Sequence, residues 1–198
     1  PLLRSQWGSG IRHWLLYVGR VAKEKNLQCL AAALRQLAPR RPDVGLVVVG
    51  EGPYLQELKH ETMGLPVVFA GLQRGEALAR HYASADLFVF PSQTDTLGVV
   101  LLEAQASGLP VIVSAKGGPR DCVADGVTGF VVEPMTATLL ARRVEAMLAD
   151  DRVRLQMGED ARRWANQHTL EKSFSAFWRL HEPHVTAARA TPMEGVLA

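Results

Sequence analysis

The chain has 198 residues, of which 47% are hydrophobic and 21% are charged, and its formal net charge is +2. This length suffices to bury the core of one domain, and the composition is typical of a globular protein. The charge is too small to indicate a nucleic-acid partner, and no basic tract interleaved with aromatic residues occurs. No apolar stretch of the sequence reaches the roughly 18 residues that a membrane span needs.

Cys29 and Cys122 lack the spacing of a zinc site or a disulfide framework. We therefore expect reduced thiols and a cytoplasmic location, and the N-terminus shows no signal peptide. Because the chain begins at Pro1 rather than at Met, we expect it to be a piece of a longer protein.

Predicted strands alternate with predicted helices from residue 14 to residue 132. The strands cover residues 14–18, 46–49, 67–70, 87–90, 111–114 and 130–132. The helices cover residues 27–38, 54–63, 76–84, 97–106 and a short segment ending at 124, with Asn26 as the cap of the first. Such alternation predicts a doubly wound α/β domain with a parallel sheet of about six strands.

The two ends of the chain differ from this central part. Residues 1–13 are polar and contain Gly and Ser, which favours a linker from a missing N-terminal domain. After residue 136 the pattern is helical only, with helices at 138–149, 152–167 and 169–180. The domain is therefore expected to span residues 14–181, and residues 182–198 to form a poorly ordered tail.

Residues 91–110 combine a polar turn, an apolar helix and a carboxylate. Thr96 is placed to cap the helix and Gly108 to end it. Glu103 stands among Val and Leu residues, where a carboxylate must be paired, solvated or bound to a ligand. On its own, Glu103 would also suit the solvent-facing edge of an amphipathic helix.

The direction of helical side chains favours a ligand for Glu103. They lean toward the helix N-terminus, so Glu103 should point toward the turn at residues 94–98. That turn exposes backbone N–H groups at the positive end of the helix dipole, Gly98 permits close approach, and Asp95 stands at its mouth. A nucleotide diphospho-sugar has the anionic middle and hydroxyl-rich ends that such a site would bind.

A second candidate group follows the first strand and consists of Gly19 and the basic residues Arg20 and Lys25. Arg presents a planar fork to phosphate oxygens and Lys adds a compact charge, at the edge where such sheets open their ligand crevice. Taken alone, these residues are more typical of a solvated basic loop.

Two other patterns are interpreted as structural. Gly50 and Gly52 begin like a dinucleotide fingerprint, but Leu55 occupies the third glycine position, so we expect a tight turn and no NAD site. The six histidines are scattered without metal-ligand spacing, and we predict no metal site.

Asp95 and Glu103, separated by seven residues and followed by Ala-Ser-Gly-Leu-Pro at residues 106–110, resemble a known signature. It is that of the retaining nucleotide-sugar glycosyltransferases of the GT-B class, family four, also called glycosyl transferases group 1. The resemblance covers residues 15–133 and extends weakly to 171. It implies that the chain is the Rossmann-like, donor-binding half of a GT-B fold.

The resemblance also implies a role for each site residue. Arg20 and Lys25 contact the donor diphosphate and, together with Asp95 on the sugar hydroxyls, form the predicted catalytic group. Glu103 binds the ribose. The remaining donor contacts, several of them through the backbone, are Gly19, Gly71, Leu72, Thr96, Leu97, Gly98, Gly117 and Gly118.

Three positions depart from the family pattern. Asp95 stands where Glu is usual, and its side chain is one methylene shorter. Arg120 replaces the usual Pro and Asp121 the usual Glu after Gly117-Gly118, changes that a backbone contact with the donor tolerates. The nucleotide base is not readable from the sequence, because the family holds it through backbone groups of residues 71–74.

The implied reaction transfers a hexose from a nucleotide diphospho-sugar to a hydroxyl of a glycan or lipid, without a metal or other cofactor. An absent N-terminal domain would hold the acceptor, so we expect this chain to bind donor and transfer little. Any peripheral membrane association would come from that absent domain. The alternatives are half of a sugar-nucleotide epimerase and a non-catalytic nucleotide-binding module.

Overall fold

The computed structural model describes residues 3–96 and 98–168, together with Lys172, Ser175 and Arg179. Its contacts group Pro1–Ala165 into one compact unit and Asn166–Ala198 into a second. In the second unit, Lys172 Nζ donates a hydrogen bond to the Asn166 carbonyl oxygen (2.8 Å). The sheet belongs entirely to the first unit.

Six parallel strands form one sheet in the order β3-β2-β1-β4-β5-β6. The strands are β1 His13–Val18, β2 Val44–Val49, β3 Val67–Gly71, β4 Leu87–Phe90, β5 Val111–Ser114 and β6 Gly129–Val132. The four central strands are buried along their whole length, which explains why they read as continuous apolar runs rather than as alternating ones. The predicted doubly wound α/β fold is confirmed.

Seven helices connect and flank these strands among the described residues. They are α1 Arg4–Trp7, α2 Leu27–Leu37, α3 Leu55–Glu61, α4 Gly75–Ser84, α5 Val99–Ala106, α6 Ala137–Leu148 and α7 Asp151–Gln167. Two 3₁₀ turns, Lys23–Lys25 and Gly118–Cys122, follow β1 and β5. The predicted helix at 169–180 and the tail at 182–198 fall almost entirely outside the described residues.

One predicted helix cap is wrong, and the other makes different contacts from those of a typical cap. Helix α5 begins at Val99 with Gly98 as its N-cap residue, two residues later than predicted, so Thr96 does not cap it. Asn26 is the N-cap residue of α2, as predicted, but it has a left-handed conformation (φ 57°) and its side chain makes no cap hydrogen bond. Its side-chain amide instead donates to the Pro91 carbonyl oxygen (3.3 Å), which ties the β1 loop to the end of β4.

The segment after Gly117 is a 3₁₀ turn that ends at Cys122, not a helix to residue 124.

The segment predicted as a linker packs onto the domain. Trp7 of α1 is buried and meets Trp14 edge-on, with ring centroids 5.4 Å apart. Arg4 forms an ion pair with Asp86. Residues 4–7 therefore contribute to the core, and strand β1 begins at His13, one residue earlier than predicted.

Asp86 holds three parts of the chain together at the beginning of β4. Its carboxylate accepts a hydrogen bond from the Trp14 amide (2.8 Å) and pairs with Arg4 and with Arg154 of α7 (3.2 Å). The side chains of Asp86 and Arg154 are 8% and 11% exposed. Removal of either partner would leave a buried charge without compensation, which is costly.

We expect Asp86→Ala to lower the free energy of unfolding by about 3–5 kcal/mol, because Arg154 and the Trp14 amide lose their buried acceptor. Chemical denaturation followed by circular dichroism measures this loss. The control is Asp121→Ala, whose side chain is 81% exposed and should change stability by less than about 0.5 kcal/mol. A similar small effect for both variants would contradict this role of Asp86.

Candidate donor-binding site

The strand order determines where on the sheet the candidate site lies. The chain runs outward from β1 to β3 and then returns to β4 on the other side of β1, so the loops that follow β1 and β4 leave the sheet side by side. In open α/β sheets, ligands bind at this point outside the carboxyl ends of the strands. The two sequence motifs, residues 19–25 and 91–103, begin in these two loops.

Lys25 and Asp95 join the two motifs directly. Lys25 Nζ lies 2.6 Å from Asp95 Oδ1, although the residues are 70 apart in the chain. Their side chains are 17% and 19% exposed. The second carboxylate oxygen, Asp95 Oδ2, is buried and has no hydrogen-bond partner. A buried acceptor without a partner is rare in folded proteins, so this oxygen remains available to a hydroxyl donor.

The glycine pair after β5 packs onto the same turn. The Gly118 amide donates to the Asp95 carbonyl oxygen (2.9 Å). A Cβ at Gly118 would lie 1.8 Å from the Thr96 carbonyl oxygen, and one at Gly117 would lie 2.8 Å from that of Asp95. Glycine is therefore required at both positions, and a third predicted motif contacts the turn around Asp95.

Gly50 and Gly52 interlock with the β1 loop. A Cβ at Gly50 would lie 1.9 Å from the Gly19 carbonyl oxygen, and one at Gly52 would lie 2.2 Å from that of Val21. The Val21 amide donates to the Glu51 carbonyl oxygen (2.9 Å). The space beside these glycines is filled by protein backbone, as expected for a structural turn.

Arg20 and Leu72 line an open cavity of about 400 Å³ at the ends of β1, β2 and β3. The Arg20 side chain is 66% exposed, and its guanidinium lies 3.8 Å from the Glu24 carboxylate. Such an exposed pair contributes little and leaves Arg20 available to an anion. Gly71 ends β3 with φ 68°, and its carbonyl oxygen accepts from the Gly50 amide (2.8 Å), while Leu72 is 56% exposed.

Glu103 has a partner that the sequence did not reveal. The hydroxyl of Tyr82, a buried residue of α4, donates to Glu103 Oε2 (2.8 Å) and lies 3.4 Å from the Val100 carbonyl oxygen. Burial, and secondly this hydrogen bond, raises the pKa of Tyr82, which keeps the hydroxyl protonated as a donor. Because the same hydroxyl lies near Val100, the carboxylate leans over the preceding helical turn. Glu103 is nevertheless exposed.

Gly98, the residue just before α5, forms a contact with Cys122 that the sequence did not indicate. Burial raises the pKa of the Cys122 thiol, and a backbone hydrogen bond from Gly98 opposes that rise. Gly98 is buried, and a Cβ there would lie 2.6 Å from Leu101 Cδ1. Thr96 is exposed beside it, and Leu97 lies outside the described residues.

The structure thus brings most of the predicted residues to one edge of the sheet. The Lys25, Asp95 and Gly117-Gly118 positions are in contact, and Gly19, Arg20 and Leu72 line one cavity. Within the described part of the chain, no three His, Cys, Asp or Glu side chains are arranged to hold a metal ion. None of its helices is both long and apolar enough to cross a bilayer.

We expect Gly118→Ala to lower the free energy of unfolding by about 1–3 kcal/mol, because its methyl group would collide with the Thr96 carbonyl. Thermal and chemical unfolding measure the loss. Gly126→Ala is the comparison, since its methyl group meets open space and only the backbone angle (φ 77°) is unfavourable. That variant should lose about 1 kcal/mol. A smaller loss at Gly118 than at Gly126 would contradict the packing described for this loop.

Comparison with known proteins identifies the family that the sequence motifs resemble. The sequence profile of the family Glycosyl transferases group 1 matches residues 6–164. A sulfoquinovosyl transferase of Arabidopsis thaliana is 35% identical over 185 residues, which cover 86% of this chain and 36% of the plant protein. A GDP-mannose-dependent α-(1-6)-phosphatidylinositol monomannoside mannosyltransferase of Mycolicibacterium smegmatis is 36% identical over 174 residues, 82% of this chain and 46% of that protein.

Two solved structures have the same fold. Sucrose-phosphate synthase from Thermosynechococcus elongatus superposes with a TM-score of 0.79 at 28% identity, over 94% of this chain and 48% of its own. Anabaena HepE in complex with UDP-glucose superposes with a TM-score of 0.76 at 26% identity, over 84% of this chain and 47% of its own. The chain spans less than half the length of each of these four proteins. The profile match over most of the chain and the two relatives show that this chain belongs to the family of glycosyl transferases group 1.

Proposed function

We propose that this chain is the donor-binding half of a retaining glycosyltransferase that transfers a hexose from a nucleotide diphospho-sugar to a hydroxyl of a glycan or lipid. The observation that carries the proposal is the contact between Lys25 and Asp95. It brings a phosphate-binding cation and a carboxylate suited to sugar hydroxyls to one point of the crevice. Neither motif would form such a site alone.

The diphosphate would lie against Arg20, Lys25 and the amino end of α5. Lys25 has three N–H donors, so its bond to Asp95 leaves others for a phosphate oxygen. On binding a phosphate, Arg20 would lose only its exposed ion pair with Glu24. These cations would stabilise the negative charge that grows on the departing diphosphate, more strongly in the transition state than in the ground state.

The sugar and the ribose would be held by the two carboxylates. Asp95 Oδ2 is buried and unpartnered, and a sugar hydroxyl would supply the missing donor. Glu103 uses one oxygen for the Tyr82 hydroxyl and has the other free for the hydroxyls of a ribose. Tyr82 therefore acts as a positioning residue for Glu103.

In the transfer itself, the bond between the anomeric carbon and the diphosphate oxygen breaks and a bond to the acceptor oxygen forms. The acceptor hydroxyl loses its proton to the departing diphosphate, and attack from the face of departure retains the anomeric configuration. We infer that the positive charge comes from Arg20 and Lys25, without a metal. NMR of the anomeric configuration of the product tests retention in the full-length enzyme.

The acceptor would be bound by a further domain. The chain spans less than half the length of the two relatives described above. We infer that an N-terminal domain holds the acceptor, in the cytoplasm, and that any membrane association comes from that domain. The relatives are named as transferases, which argues against both an epimerase and a non-catalytic module.

Arg20→Ala and Glu103→Gln test the donor site by calorimetric titration of UDP, GDP and ADP into this chain. We expect each variant to weaken the nucleotide that binds by about tenfold or more, because each loses a charge-assisted hydrogen bond. Arg80→Ala and Glu76→Gln are matched controls on the exposed surface of α4 and should leave affinity unchanged. If neither test variant weakens any nucleotide, the site assignment fails.

Asp95→Asn separates the sugar from the diphosphate. We expect the variant to bind the nucleotide diphospho-sugar about tenfold more weakly, because an amide is a poorer acceptor for the sugar hydroxyls than a carboxylate. The nucleoside diphosphate lacks the hexose of the donor. It should bind equally well or more tightly, since the variant removes a negative charge beside Lys25. Parallel titrations of both ligands measure the difference. Equal weakening of both would show that Asp95 only supports Lys25.

A further inference from the structure

Glu51 is an exposed residue that lines the cavity described above, and its carboxylate has no partner among the described residues. It lines the cavity together with Arg20, Leu72 and Gln73. Across residues 3–96 and 98–168, three acids of the neighbouring loops and of α3 are paired, Glu24 with Arg20, Asp95 with Lys25 and Glu57 with Lys23. No hydrogen bond or ion pair within that part of the chain reaches the Glu51 carboxylate.

The backbone holds Glu51 firmly in this place. Gly50 (φ 134°) and Gly52 (φ 158°) flank it, in conformations that other residues rarely adopt, and both fit against the β1 loop. The Glu51 carbonyl oxygen accepts from the Val21 amide (2.9 Å). Its Oε1 atom lies 3.8 Å from where a Cβ at Gly71 would be. The carboxylate is therefore next to the loop that follows β3.

That loop offers an apolar surface beside the carboxylate. Leu72 is 56% exposed at the cavity, a large value for a leucine, and a planar ring would cover it. The Gln73 side-chain amide is turned back to the Ala70 carbonyl oxygen (2.6 Å). Glu51 thus has both carboxylate oxygens available to the polar edge of a ring lying on Leu72.

A carboxylate selects among nucleobases by charge and by donor pattern. It only accepts hydrogen bonds and it repels phosphate, so among the edges of a nucleobase it pairs with one that carries N–H groups. Guanine places two donors side by side, the N1–H and the 2-amino group, which match the two carboxylate oxygens. Uracil flanks its single N–H with carbonyl oxygens, and adenine and cytosine place a ring acceptor next to their amino groups. Guanine therefore fits Glu51 better than the other three bases do.

We propose that Glu51 binds the Watson–Crick edge of the donor base and makes this crevice select a guanine nucleotide. This inference rests on the proposed function, since it assigns the base of the same nucleotide diphospho-sugar. Leu72 supports the flat face of the base, Glu51 accepts from its edge, and Arg20 meets the phosphates. The donor class would then be a GDP-sugar.

Titration of GDP, UDP, ADP and CDP into this chain and into Glu51→Gln tests the proposal. We expect the unmodified chain to bind GDP about tenfold or more tightly than the other three nucleotides, and Glu51→Gln to lose most of that preference. UDP should bind the variant no more weakly, because a glutamine amide can donate to a uracil carbonyl. Glu57→Gln, on α3 and outside the cavity lining, is the control and should keep the preference.

Three results would overturn this inference and leave the proposed function standing. Equal weakening of all four nucleotides by Glu51→Gln would place the carboxylate on the ribose, which they share. No change in any affinity would show that Glu51 does not contact the base, and a preference of the unmodified chain for another base would exclude guanine selection. Thermal unfolding of the variant checks that its fold is intact. Failure of all four nucleotides to bind would overturn the proposed function as well, and so is distinguishable from failure of the base assignment alone.

Discussion

The ion pair between Lys25 and Asp95 is the interaction on which the interpretation of this protein depends. It forms only because β1 and β4 are neighbours in the sheet, so that their loops emerge together although they are far apart in the chain. At under one-fifth exposure, the pair is shielded from water on most sides. Asp95 keeps one unpartnered oxygen while its other oxygen binds Lys25. The pair therefore holds a cation and an acceptor in fixed positions before any ligand arrives, which reduces the entropic cost of binding.

Much of this arrangement could be predicted from the sequence, for identifiable physical reasons. A strand buried on both faces must be continuously apolar, so β4 and β5 were predicted with the bounds that the structure has. Strand alternation with helices predicts a parallel sheet, and a parallel sheet collects the loops with Arg20 and Asp95 at one edge. The family resemblance assigned Gly117 and Gly118 to the donor site, and the structure explains both glycines by the nearby backbone of Asp95 and Thr96.

The features that could not be predicted depend on contacts between distant residues. Tyr82 is an ordinary aromatic residue of α4 in the sequence, and only the packing of α4 against α5 places its hydroxyl at Glu103. Asn26 was predicted as a cap because local preferences favour Asn there, but the adjacent β4 loop offered its amide the Pro91 carbonyl instead. Residues 1–13 were predicted as a linker because they are polar and contain glycine. Trp7 and Arg4 nevertheless find partners in Trp14 and Asp86, which no local pattern could indicate.

The interlocked glycines at positions 50 and 52 have a consequence for how donor preference could diversify. They lock two loops together through backbone contacts alone, so the frame that carries Arg20 and Glu51 does not depend on what those side chains are. In the proposed donor site, substitutions of these two side chains would alter which nucleotide is accepted without loosening the scaffold. A fold of this kind separates the residues that maintain architecture from those that confer selectivity, which leaves the latter free to vary during evolution or in a designed library.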